Sequence, residues 1–103
     1  MERQSLISTE VLARYAEDAA REVDGVAGVD DGGGLHRHGV LVSGDAAAPA
    51  VRLRIELDWG RNAAEVGSEV QRRIAEYLGR MADLTPASVE VLVSGVGAPP
   101  AKR

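Results

Sequence analysis

The amino-acid sequence predicts an α+β fold: a two-layer sandwich in the order α-β-β-α-β, with a three-stranded mixed sheet and two helices packed on one face. Three observations carry this. Val51, Leu53, Ile55, Leu57 and Trp59 alternate without a break against Arg52, Arg54, Glu56 and Asp58, which is the period of a strand with one wet face. Two segments, 9–24 and 63–81, repeat apolar residues at helical spacing. The length of 103 residues suits one domain with one core.

The first helix is expected over 9–24. Ser8 or Thr9 can accept an orphan N–H of its first turn, and Glu10 complements the helix dipole. Val11, Leu12, Tyr15, Ala16, Ala19, Ala20 and Val23 form the apolar stripe. Its many alanines make a thin face that can lie close to a sheet. Gly25 is placed to end the helix in the left-handed conformation. Val26 and Val29 continue into the core. Asp30, Asp31 and Gly32 to Gly34 then read as a loop.

A short strand is expected over 39–43, and 44–50 reads as a connection containing Asp45 and Pro49. The alternating strand follows. A one-residue slip in its register would bury arginines and acids, so the register is specified. Gly60 and Arg61 turn the chain. Asn62 with Glu65 matches a capping box. Ala63, Val66, Gly67, Val70, Ile74, Tyr77, Leu78 and Met81 form the second stripe. Glu69 and Arg73 stand as an i, i+4 pair. Pro86 sets the helix end near Asp83. Val89, Val91 and Val93 start the last strand, which runs parallel to the second if one helix crosses over between them. Which strand it pairs with is left open. The domain is expected to cover 1–96, with 97–103 a flexible C-terminal tail holding two adjacent prolines.

Composition excludes several kinds of chemistry. There is no cysteine, so disulfides, thiolate metal sites and cysteine nucleophiles are ruled out. Formal charge is −4, which argues against general nucleic-acid binding. No stretch approaches the ~20 apolar residues of a membrane span, and residues 1–5 do not lead into a signal-peptide apolar region. The expected location is the cytoplasm.

Few residues suggest a site. His36 and His38 flank Arg37 and would point the same way in an extended chain, able to begin a metal site with Asp30, Asp31 or Asp45. Polar entry into a strand is the preferred reading, since Arg37 between them and the flexible loop beside them weigh against a metal. Gly25 to Gly28 is formally G-x-x-G, the form of the backbone-clamping loop in KH nucleic-acid-binding domains; its middle residues are apolar and Asp30 and Asp31 follow, so a helix end with a buried valine is the preferred reading. Arg52, Arg54, Arg72, Arg73 and Arg80 are interleaved with acids, the pattern of a solvated mixed surface. No serine–histidine–acid arrangement is evident, and the sequence calls for no cofactor. The exposed side chains of the alternating strand, Arg52, Arg54, Glu56 and Asp58, are the candidate interaction surface.

Several segments together resemble one family. I-S-T-E-V-L-A-R-Y-A at Ile7 to Ala16 runs into E-V-D-G-V-A-G-V at Glu22 to Val29. V-R-L-R-I-E-L-D-W-G-R-N spans Val51 to Asn62. E-V-G-S-E-V-Q-R-R-I spans Glu65 to Ile74, and V-E-V-L-V-S-G-V spans Val89 to Val96. In order and spacing these resemble the alkaline shock protein family of bacterial envelope stress response proteins. The resemblance implies a non-catalytic protein of cell-envelope homeostasis. It implies a self-associating scaffold, a homo-oligomer docked to a membrane-anchored partner or to a paralogue of the same family. It also implies a cytoplasmic protein peripheral to the inner face of the cell membrane. Two alternatives stand beside it: a nucleic-acid-binding module of KH-like topology, and a carrier of metal or small molecules built on His36 and His38.

Overall fold

The computed structural model describes residues 7–30 and 39–98. The elements are α1 (Thr9–Arg21), β1 (Val26–Val29), β2 (Val40–Asp45), β3 (Ala48–Leu57), α2 (Ala63–Ala82) and β4 (Ser88–Val96). The fold is the expected α+β sandwich, with one strand more than the sequence suggested.

All three other strands pair with β3. β4 runs parallel to it, from Ala50↔Ser88 to Leu57↔Val96. β2 is antiparallel over Val40↔Leu53 to Asp45↔Ala48. β1 is antiparallel over Val26↔Leu57 to Val29↔Ile55. A strand has two edges, and β4 shares partner residues with both β1 and β2. These two must therefore lie end to end along the other edge of β3. The sheet has four strands but is three strands wide. Val26 and Val29, expected only as core residues, belong to this additional strand. It is short and carries a bulge between Val26 and Gly28, so it shows no period-two pattern.

Burial follows the alternation. Val51, Leu53, Ile55 and Leu57 are buried, and Arg52, Arg54 and Glu56 are exposed. β3 begins earlier and ends sooner than the sequence suggested. Pro49 lies inside it and is buried. The expected connection over 44–50 reduces to a two-residue turn, in which Asp45 Oδ1 accepts the Ala47 N–H at 3.1 Å. Trp59 falls beyond the strand end, is 56% exposed and is not part of the core face.

α1 is capped by Ser8, whose Oγ accepts the Val11 N–H at 3.1 Å. It ends at Arg21, earlier than the expected 24, and its cap residue Glu22 keeps right-handed geometry. Gly25, expected to end the helix, instead forms the turn into β1 at φ +104°. A Cβ placed there would lie 2.7 Å from Val66 Cγ2. Both backbone angle and space therefore require glycine. The alanines do what a thin face allows. Ala13, Ala16, Ala19 and Ala20 are buried, whereas Val11 is exposed, so the buried stripe is rotated from the expected one.

Asn62 Oδ1 accepts the Glu65 N–H at 2.9 Å and caps α2. Asp83 closes its other end in the left-handed conformation, at φ 56°. Val66, Val70, Ile74 and Leu78 are buried. Ala63 and Met81, read as part of the stripe, are exposed at the helix ends. The expected Glu69–Arg73 pair is replaced by another pattern. Arg72 bridges Glu69 and Glu76 along the helix, and Arg73 reaches Glu22 beyond the end of α1 at 3.2 Å. Tyr15 of α1 meets Tyr77 of α2 edge-on, with centroids 5.9 Å apart. Gln71 Nε2 donates to Val89 O at 2.8 Å, tying α2 to β4.

Gly97, one residue past the end of β4, donates its N–H to Leu57 O at 2.7 Å. Residues 99–103 of the expected tail lie outside the described residues.

Two outcomes follow for stability. Ile55→Asp places an unpaired carboxylate in the core and is expected to cost about 4 kcal/mol or more. Glu56→Lys, one residue away, should change stability by no more than about 0.5 kcal/mol. Urea denaturation of both variants checks the register of β3. Gly25→Ala should cost about 2–4 kcal/mol, from left-handed strain and displacement of Val66; the same measurement reads it.

Candidate functional site

Both helices pack on one face of the sheet, and among the described residues no element covers the opposite face. Arg52, Arg54 and Glu56 stand in a row along it. Across the strands, Arg52 is flanked by Leu41 and Glu90, Arg54 by Leu92, and Glu56 by Gly95. Arg52 Nε donates to Glu90 Oε1 at 3.0 Å, with both side chains more than half exposed. Such an exposed pair contributes about 0–1 kcal/mol, so it orders the face more than it stabilises the fold. Arg54 makes no ion pair among the described residues. Leu41 is 43% exposed and Leu92 40%. The face therefore combines guanidinium groups with two uncovered leucines.

Of the four residues read as an interaction surface, three share this face. The fourth, Asp58, sits one residue past the strand. Its N–H donates to Gly25 O at 2.8 Å and its carbonyl accepts from Arg61 N–H at 3.2 Å. Its backbone joins the turn at the C-terminal end of β3 to the turn before β1. Leu41 and Leu92 were missed by the sequence reading. Their signal lay in the cross-strand partners of Arg52 and Arg54, which become visible only once the pairing is known.

A cleft of about 300 Å³ lies where the C-terminal end of α1 meets the N-terminal end of α2. Val23 and Val66 line it together with Glu22, Asp24, Glu65, Glu69, Arg61 and Arg73. Arg61 pairs with Asp24 and Arg73 with Glu22, each at 3.2 Å. These two ion pairs tie α2 and the turn before it to the end of α1 and the turn before Gly25.

The other sequence candidates separate. His36, His38 and Asp31 lie outside the described residues. Asp45 is committed to its own turn. Among the described residues no group of three or more His, Cys, Asp or Glu could hold a metal ion. The Gly25–Gly28 segment is a turn leading into β1, not a loop between two helices, so it lacks the geometry that prompted the KH comparison. Arg72 is held by its hydrogen bond to Glu69 and by the charges of Glu69 and Glu76, which raise its pKa above the ordinary arginine value. Arg80 lies 5.9 Å from the centroid of the Tyr77 ring. The arginines thus do not gather on one face. Among the described residues no helix is long and apolar enough to cross a membrane.

Comparison with solved structures agrees with this architecture. A histidine-to-alanine variant of MamM-CTD matches with a TM-score of 0.56 at 16% identity, covering 85% of this chain and 98% of that one. The copper form of an aspartate-to-histidine variant of MamM CTD matches with a TM-score of 0.56 at 18% identity, over 85% of this chain and 98% of that one. At such identities the likeness is one of fold. No curated protein sequence matches the chain. One family model does, over residues 2–98, nearly the whole length. The chain belongs to the alkaline shock protein 23 family, a family of cell envelope-related function.

Proposed function

We propose that this protein acts without catalysis, as a self-associating scaffold of the envelope stress response. It docks to a membrane-anchored protein, or to a paralogue of its own family, from the cytoplasmic side of the membrane. The observation that carries this reading is the open sheet face. The helices cover one side of the sheet only, and the other presents Arg52 and Arg54 between Leu41 and Leu92. An acidic, partly apolar protein surface suits it: carboxylates meet the guanidinium groups and apolar side chains cover the leucines. Family membership supplies the envelope context.

The test is sedimentation of the purified protein with inner-membrane vesicles. Binding is expected, and protease treatment of the vesicles beforehand should abolish it. Arg54→Glu should reduce binding about tenfold or more, the range for loss of one interfacial charge pair, while leaving the melting temperature unchanged. Failure to sediment with untreated vesicles, or equal binding to protein-free lipid, would overturn the docking reading.

A further inference from the structure

We infer that the outer edge of β4 is the surface through which two copies of this chain associate, antiparallel, so that their sheets become one. This rests on the scaffold reading and gives its self-association a location. β4 pairs with β3 along one edge, and among the described residues no strand occupies the other. The outward N–H and C=O groups of alternate residues there can meet another strand; the Val89 carbonyl accepts from Gln71 Nε2 and has a second lone pair for such a partner.

The two edges of the sheet differ in how they are protected. On the far side, β1 and β2 have only four and six residues, with a bulge at the start of β1. β4 has nine residues, S-V-E-V-L-V-S-G-V, with one charge, no lysine and no proline. Its irregularity comes late, opposite the step from Ile55 to Glu56. Ser94 Oγ there donates inward to Ile55 O at 3.4 Å. The six residues Ser88 to Val93 before it pair regularly with β3. Such an edge lacks the devices by which proteins prevent strand addition.

The side chains indicate what occupies it. Leu92 and Val93 are neighbours and point to opposite faces, yet they are 40% and 39% exposed. A ligand resting on the open face would cover Leu92 alone. A strand added to the edge flanks both. A second copy of β4 supplies a matching strand. With a two-fold axis at Val91, Val89 lies opposite Val93 of the second copy and Val91 opposite itself. Glu90 lies opposite Leu92, and the single charge of the strand never meets its own copy. Glu90 is also already paired with Arg52. The valines of both strands then form one continuous row on the helix side.

The experiment uses the full chain in two measurements. Analytical ultracentrifugation across a concentration series compares the native protein with Leu92→Glu. Hydrogen exchange of the native protein at low and high concentration needs no substitution. The native chain should dimerise, and the outward β4 amides should become protected only at high concentration. Leu92→Glu should weaken dimerisation at least about tenfold, since in each copy it removes an apolar side chain and sets a second carboxylate opposite Glu90 of the other copy. A native dimer whose β4 exchange ignores concentration, and which Leu92→Glu leaves intact, would overturn the β4 contact while self-association stands. A chain that stays monomeric at high concentration would overturn both. Protection of β4 only on addition of membrane vesicles would assign the edge to a different protein and overturn the second-copy reading.

Discussion

The structure depends on one strand. β3 pairs with every other strand, and its alternation sets which face of the sheet the helices can cover. Val51, Leu53, Ile55 and Leu57 are buried under α1 and α2, while Arg52, Arg54 and Glu56 are exposed. Shifting β3 by one residue would exchange the two sets and bury three charges. No rearrangement of the helices could compensate, because an uncompensated buried charge costs more than an apolar side chain gains.

The remaining elements fit around that strand. The alanines of α1 bring it close to the sheet and to α2. Gly25 allows the chain to turn against Val66 and enter β1. The Asn62 and Asp83 caps limit α2 to the 20 residues that span the crossover between β3 and β4. Arg73–Glu22 and Arg61–Asp24 join the helix ends at the surface. These are small contributions individually, and the apolar layer between helices and sheet supplies most of the stability. Among the described residues, one face of the sheet and the outer edge of β4 are uncovered.

Much of the fold was legible because its signals are local. The Ser8 and Asn62 caps, the stop near Asp83 and the alternation of β3 each follow from a few adjacent residues. What was misread depends on distant ones. β1 is four residues long and bulged, and it is a strand because Leu57, Glu56 and Ile55 are there to pair with it. Trp59 continues the period-two pattern but lies past the point where the chain must turn toward α2. Arg73 prefers Glu22 to Glu69 because α1 ends beside it, a fact no helical spacing contains.

The sequence by itself determined the fold class, the central strand and its register, and family membership over nearly its whole length. Burial preference and backbone geometry act within a few residues, and periodicity records them. Only the tertiary structure decided that β1 and β2 share one edge of β3, that β4 takes the other, and that Leu41 and Leu92 join Arg52 and Arg54 on one surface. Those are relations between residues far apart in the chain. They are set by which strand reaches which edge, and side-chain periodicity does not encode that choice.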